Sequence, residues 1–267
     1  MIRDITIGQY YPAKSPIHRM DPITKLFGTL IFIISVFLFH SVAGYAVATL
    51  FLAGMIIISQ VPVKFIFKGL KAIFMILMIT MVFNILLTPG EVLWKIGIFK
   101  ITREGISMAV RMAIRLVYLV IGSSLMTLTT TPNQLTDGLE KSLRPLNKIH
   151  IPVHEIAMMM SIALRFIPIL LEETDKIMKA QIARGADFES GNLIQKVKNM
   201  VPLLVPLFIS AFRRANDLAM AMEARCYHGG DNRTQMKPLH YTRRDHIAYV
   251  VLFVYLAVAI GFRVMGW

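Results

Sequence analysis

Between Lys25 and Lys64 the chain carries no Asp, Glu, Lys or Arg for 38 consecutive positions, Leu26 to Val63. A single helix of that length would reach roughly 57 Å, about twice the ~30 Å hydrocarbon core of a bilayer, so one crossing cannot absorb it and two can. The break falls at His40-Ser41-Val42-Ala43-Gly44, small and polar, which predicts a tight hairpin between Leu26–Phe39 and Tyr45–Gln60. A third span is expected over Ala72–Gly90, ending at Thr88-Pro89-Gly90. A fourth runs from Gly105 to Leu128 with Arg111 and Arg115 near its start, and a fifth from His246 to Phe262. Composition agrees: of 267 residues 55% are hydrophobic and 17% charged, too apolar for a water-soluble surface and too hydrophobic for disorder. Cys226 is the one cysteine, so an internal disulfide scaffold is excluded. The expected fold is an all-α integral membrane protein of about five transmembrane helices.

The net charge of +13 raises two readings, nucleic-acid contact or membrane topology, and the positions of the charges choose the second. Arg3, Lys14, Arg19 and Lys25 precede the first span, and Lys64, Lys68 and Lys71 follow the second. The stretch Thr129–Asp245 holds sixteen Lys and Arg against twelve Asp and Glu. Only Lys95, Lys100 and Arg103 fall in the opposite loop, where Glu91 and Glu104 partly offset them. The positive-inside rule then places the N-terminus and the long internal stretch in the cytoplasm and the C-terminus outside. Ser41-Val42-Ala43 resembles a signal-peptide cleavage site, but the polar segment before the apolar run is about 25 residues with two acids, unlike a secretory leader. Asp21-Pro22 reads better as an N-cap with proline at the first helical position. The chain divides into a cytoplasmic N-terminal segment (1–25), spans one to four (26–128), an internal region (129–244) and the last span (245–267).

The internal region is the unusual part. Ile156–Leu171 is almost wholly apolar and then switches to Glu172-Glu173-Thr174-Asp175-Lys176; Met200–Phe212 behaves alike before Arg213-Arg214. Two long amphipathic helices are expected, each with an apolar first half and a charged second half, lying at the membrane boundary or against other helices; short tilted spans are the alternative. Both end alike, on Ala183-Arg184-Gly185 and, 41 positions later, Ala224-Arg225-Cys226. An arginine at a helix C-terminus suits the dipole and the free carbonyls, yet a matched pair of such ends suggests docking tips, one per partner subunit. On the same offset Glu172 and Glu173 match Arg213 and Arg214, which predicts that acids and bases meet where the helices cross.

Ala163-Leu164-Arg165-Phe166-Ile167-Pro168, Glu172-Glu173 and Ala180 through Phe188 closely resemble the transmembrane T component of energy-coupling factor (ECF) transporters. His18 through Leu26 resembles the same family, as does Arg214 through Tyr227. The resemblance covers the chain from about residue 10 to its end. It implies the transmembrane subunit of an ABC-type vitamin or metal-ion importer, in which two cytosolic ATPases, identical or different, bind the T component through coupling helices. A separate membrane S component would bind the substrate. The family's ATPase-contacting positions map onto Ala183, Arg184, Gly185, Ala224, Arg225 and Cys226. The last departs from the usual glycine, and a left-handed cap there would cost about 1 kcal/mol or force another ending.

No Gly-x-x-x-x-Gly-Lys-Ser/Thr loop occurs, so ATP and Mg are expected on the partner subunits and this chain is expected to be no enzyme and to hold no cofactor. Among 18 methionines, Met158, Met159 and Met160 open the first amphipathic helix, a flexible surface suited to the S component; core filling is the plain alternative. Arg111 and Arg115 read as snorkelling to the outer headgroups. His150, His154 and Glu155 lack a metal-ligand spacing, because Pro152 separates the histidines. A self-sufficient secondary transporter and a structural membrane anchor are the competing functions.

Overall fold

The computed structural model describes residues 10–39, 41–96, 99–188, 192–230, 236 and 238–264. Arg3 and His40 lie outside them, and of Lys95 and Lys100 only the backbone is described. In chain order the helices are α1 (Pro22–Leu38), α2 (Val42–Ser59), α3 (Val63–Leu87), α4 (Arg103–Thr129), α5 (Pro132–Leu143), α6 (Val153–Ala183), α7 (Leu193–Ala224) and α8 (Arg243–Val264). An antiparallel ribbon, β1 (Val92–Ile96) with β2 (Phe99–Thr102), joins α3 to α4; the sequence reading missed it. The chain forms two compact units, one of Gly8–Gly138 with Leu239–Trp267 and one containing Leu139–Pro238.

The first unit is the helical bundle. Helices α4 and α8 are long and apolar enough to cross a membrane, and α3 is so if its two pieces count as one span. That helix bends by 57° between Lys71 and Ile73, so the expected span from Ala72 is its second piece; the first, with Lys64, Lys68 and Lys71 exposed, extends it N-terminally. At 17 and 18 residues, α1 and α2 reach roughly 26 Å, the lower limit of a crossing. Ser41 caps α2 by accepting from Gly44 N at 3.1 Å, which sets the tight turn after α1.

In lipid there is no water to drive helices together, so packing and interhelical hydrogen bonds must do it. Phe32 and Val36 of α1 and its C-cap Phe39 pack with Ala48 and Leu52 of α2 and Tyr255 and Ala259 of α8. Phe51 stacks on Tyr255 at 4.2 Å, and the Tyr255 hydroxyl hydrogen-bonds Ser35 Oγ at 2.8 Å, so the one polar atom of that ring is satisfied. Arg115 is half-buried and finds protein partners. Its guanidinium lies 3.4 Å from Phe39 O, the C-cap of α1, and 5.2 Å from the Phe37 ring. The free carbonyls and negative dipole end of α1 compete there with the headgroups.

A polar cluster closes the other end. Asp21 caps α1, accepting from Ile23 N at 2.9 Å with Pro22 as the first helical residue. Its own backbone N–H donates to Asp245 Oδ1 of α8 at 2.8 Å, and Lys25 Nζ donates to His18 O (3.2 Å) and to Thr129 O at the end of α4 (2.8 Å). His18 Nε2 meets Tyr11 O at 2.9 Å, a pure acceptor, so the proton sits on Nε2 and Nδ1 accepts from Ser15 Oγ at 2.7 Å. Burial is the main cause that lowers the His18 pKa from its ordinary value, with the Lys25 charge adding to it, and favours this neutral form. Gly138 of α5 rests on the first turn of α1, where a Cβ would come within 2.9 Å of Pro22 Cβ.

Two consequences fix the direction of travel. The Asp21–Asp245 and Ser35–Tyr255 contacts make α1 and α8 parallel, whereas Lys25–Thr129 and Phe39–Arg115 make α4 antiparallel to α1. The end of α4 and the start of α8 therefore lie at the same end of the bundle.

Candidate coupling site

The second unit is built on α6 and α7, of 31 and 32 residues, which pack against each other. A 3-10 turn, Arg144–Ile149, leads into α6, and His154 Nδ1 lies 2.8 Å from Glu140 Oε1. Pro168 lies inside α6, and Pro202 and Pro206 inside α7. Each removes a backbone donor and so weakens the helix locally. By length and composition α6 qualifies as a further membrane span, the alternative to a helix at the boundary or against other helices.

Two contacts set how the helices lie. Arg214 Nη2 of α7 meets Glu173 Oε2 of α6 at 3.3 Å, and Gln181 Nε2 reaches Pro202 O at 3.4 Å. Advancing along α6 thus means retreating along α7, so the pair is antiparallel. Of the four charged residues expected at the crossing, Glu173 and Arg214 meet there. Glu172 and Arg213 form no ion pair among the described residues. The Glu173–Arg214 pair stands eleven residues before each terminal arginine, Arg184 and Arg225. Each arm is about 16 Å long, and the two arms leave the crossing in opposite senses.

The arms end identically. After Ala183, Arg184 is the C-cap; Gly185 N donates to Ile182 O and Ala186 N to Gln181 O, both at 2.9 Å. After Ala224, Arg225 is the C-cap; Cys226 N donates to Glu223 O at 2.9 Å and Tyr227 N to Met222 O at 3.0 Å. Both are Schellman endings, whose residue after the cap must take a left-handed conformation. Gly185 has φ +88° and Cys226 φ +54°. Cysteine therefore does not force another ending; it adopts the glycine geometry and carries the Cβ strain. Both guanidiniums are exposed, and neither forms a hydrogen bond or ion pair among the described residues. Their donors do not cap the carbonyls of their own helices, because backbone N–H groups already do so.

Met159 and Met160 are exposed near the start of α6, with Met158 half-buried beside them. On α7, Val201, Leu204, Val205, Phe208, Ile209 and Phe212 form an exposed stripe at helical spacing, and the rings of Phe208 and Phe212 lie 4.6 Å apart. The sequence reading missed this stripe as a surface. Its spacing was legible, and its exposure among the described residues was not.

A multi-pass helical membrane protein that carries an antiparallel pair of long amphipathic helices with matched arginine ends is the class this geometry defines. The family model of the cobalt transport protein CbiQ matches residues 13–236. The chain is 57% identical over 266 residues to the energy-coupling factor transporter transmembrane protein EcfT of Clostridium kluyveri, covering 99% of this chain and 98% of that relative. The EcfT proteins of Ruminiclostridium cellulolyticum and Bacillus subtilis are 55% identical over 256 residues and 48% over 264; the matches cover 96% of both chains in the first case, and 98% of this chain and 100% of the relative in the second. The chain belongs to this family, the transmembrane components of energy-coupling factor transporters.

Proposed function

We propose that this chain transmits the motion of two cytosolic ABC ATPases to a substrate-binding S component in the same membrane, with Arg184 and Arg225 as the two gripping points. The observation that carries the reading is the pair of identical endings, 41 residues apart in sequence, each presenting an exposed guanidinium with unused donors. A planar five-donor fork without a partner among the described residues suits an acidic groove on another chain. Nucleotide and Mg belong to those ATPases in this reading, and Met158, Met159 and Met160 with the apolar stripe of α7 face the S component.

The same reading places the N-terminus and the α5–α7 region in the cytoplasm and the C-terminus outside. The bundle supports an even number of crossings between α4 and α8, because those helices end and begin at one face. A lone crossing by α6 would reverse α8. Charge reversal of both tips, Arg184→Glu with Arg225→Glu, tests the proposal in the reconstituted complex. Losing two buried charge contacts at about 2 kcal/mol or more each should lower ATP-driven uptake by about a thousandfold or more. Uptake and ATPase assembly that survive the double change overturn it. Transport by the lone chain in liposomes would establish the secondary-transporter reading, and assembly without ATP-driven uptake the structural anchor.

A further inference from the structure

Helices α1, α2, α4 and α8 line a half-open cavity of about 330 Å³ within the bundle unit. Phe32, Phe51, Leu52, Leu125, Val251 and Leu252 make its walls apolar over most of their length. The lining changes where α1 and α8 begin and α4 ends: Thr24, Lys25, Thr129 and Arg244 stand there. Lys25 is held by two backbone carbonyls, and the buried Asp21 and Asp245 offset its charge. Arg244 is different. It is exposed and forms no hydrogen bond or ion pair among the described residues, and the exposed Arg19 and Arg243 adjoin the lining residues Met20 and Arg244 in sequence.

Along its apolar length the cavity does not suit water, which needs two to four polar partners, and left empty that length forfeits the dispersion contacts of the side chains around it. A bilayer offers acyl chains at high concentration, and basic pockets between transmembrane helices favour anionic headgroups. Arg244, an exposed lining residue at the polar end, carries a guanidinium with the geometry for two parallel hydrogen bonds to a phosphate. An apolar side chain from a neighbouring membrane protein would fill the same walls but bring no anion to Arg244. We propose that the cavity holds one acyl chain of an anionic membrane phospholipid, whose phosphate lies at Arg244.

Native mass spectrometry of the full chain, purified in detergent and titrated with phosphatidylglycerol or phosphatidylcholine of the same acyl composition, tests this. One phosphatidylglycerol should be retained per chain, about fivefold or more in preference to phosphatidylcholine. Arg244→Gln should abolish the preference. Ala248→Phe, which fills the cavity from α8 and leaves Arg244 in place, should weaken retention of both lipids. Should the phenylalanine variant fail to fold, Ala248→Leu and a phosphatidylglycerol with a photoreactive acyl chain give the same information, with labelling expected on the α4 and α8 peptides that line the cavity. Equal retention of the two lipids by the unmodified chain overturns the proposal, as does unchanged retention in the filled variant or labelling confined to other helices. A cross-link from the cavity wall to a membrane partner in a complex free of lipid overturns it in favour of a protein occupant.

Discussion

Lys25 and the pair Arg184 and Arg225 are cations placed in opposite circumstances. Lys25 is 8% exposed at the base of the bundle, tied to two carbonyls and balanced by two buried carboxylates. The arginines stand exposed on helix ends whose carbonyls are already satisfied by backbone donors. A buried, fully engaged charge is committed to the fold, because removing it strands its partners. An exposed, disengaged charge contributes almost nothing to folding and keeps its whole hydrogen-bonding capacity for another molecule.

That contrast can be broken at several levels. The largest expected effect is functional: the double arginine reversal should remove uptake while moving the thermal stability of the purified chain by less than about 0.5 kcal/mol. A comparable loss of stability would show that the tips belong to the fold after all. Lys25→Ala should do the reverse and destabilise the bundle by about 3 kcal/mol, read as a lower melting temperature or failure to purify as a single species, since Asp21 and Asp245 lose their counter-charge. The two endings sharpen the comparison further, because they share a geometry and differ in a residue. Gly185→Ala should cost about 1 kcal/mol and Cys226→Gly should return up to about that amount, both read in melting experiments. The smallest effect belongs to the crossing: at 40% and 26% side-chain exposure, Arg214→Glu should cost less than about 1 kcal/mol of stability. Its uptake defect should nevertheless be rescued by Glu173→Arg in the same chain, and no rescue would remove the ion pair from the mechanism.

The apolar helices α1 and α2 were legible because charge is so costly in lipid that its absence over 38 residues leaves little choice. The Asp21 cap and the long helices α6 and α7 were legible too, from local chemistry. Other features depended on three-dimensional neighbours. Arg115 reads as a snorkelling residue until the carbonyl end of α1 is brought to it. The nine residues from Val63 read as a charged connection, yet Lys64, Lys68 and Lys71 share one face, so the helix continues through them to the bend. At the crossing, the 41-residue offset pointed to two acid–base pairs. Only Glu173 and Arg214 meet, because neighbouring residues on a helix point about 100° apart and one contact aligns one of them. The ribbon between α3 and α4 was missed because strands of five and four residues leave little period to detect.

The Glu173–Arg214 contact stands at equal distance from both tips, on rods that run in opposite directions. That is the layout of a balanced see-saw. A 10° turn about such a pivot would carry each arginine about 3 Å, one way at one end and the other way at the other. Two ATPases gripping the ends, as proposed above, would then pull as a couple, producing torque without net push on the pivot.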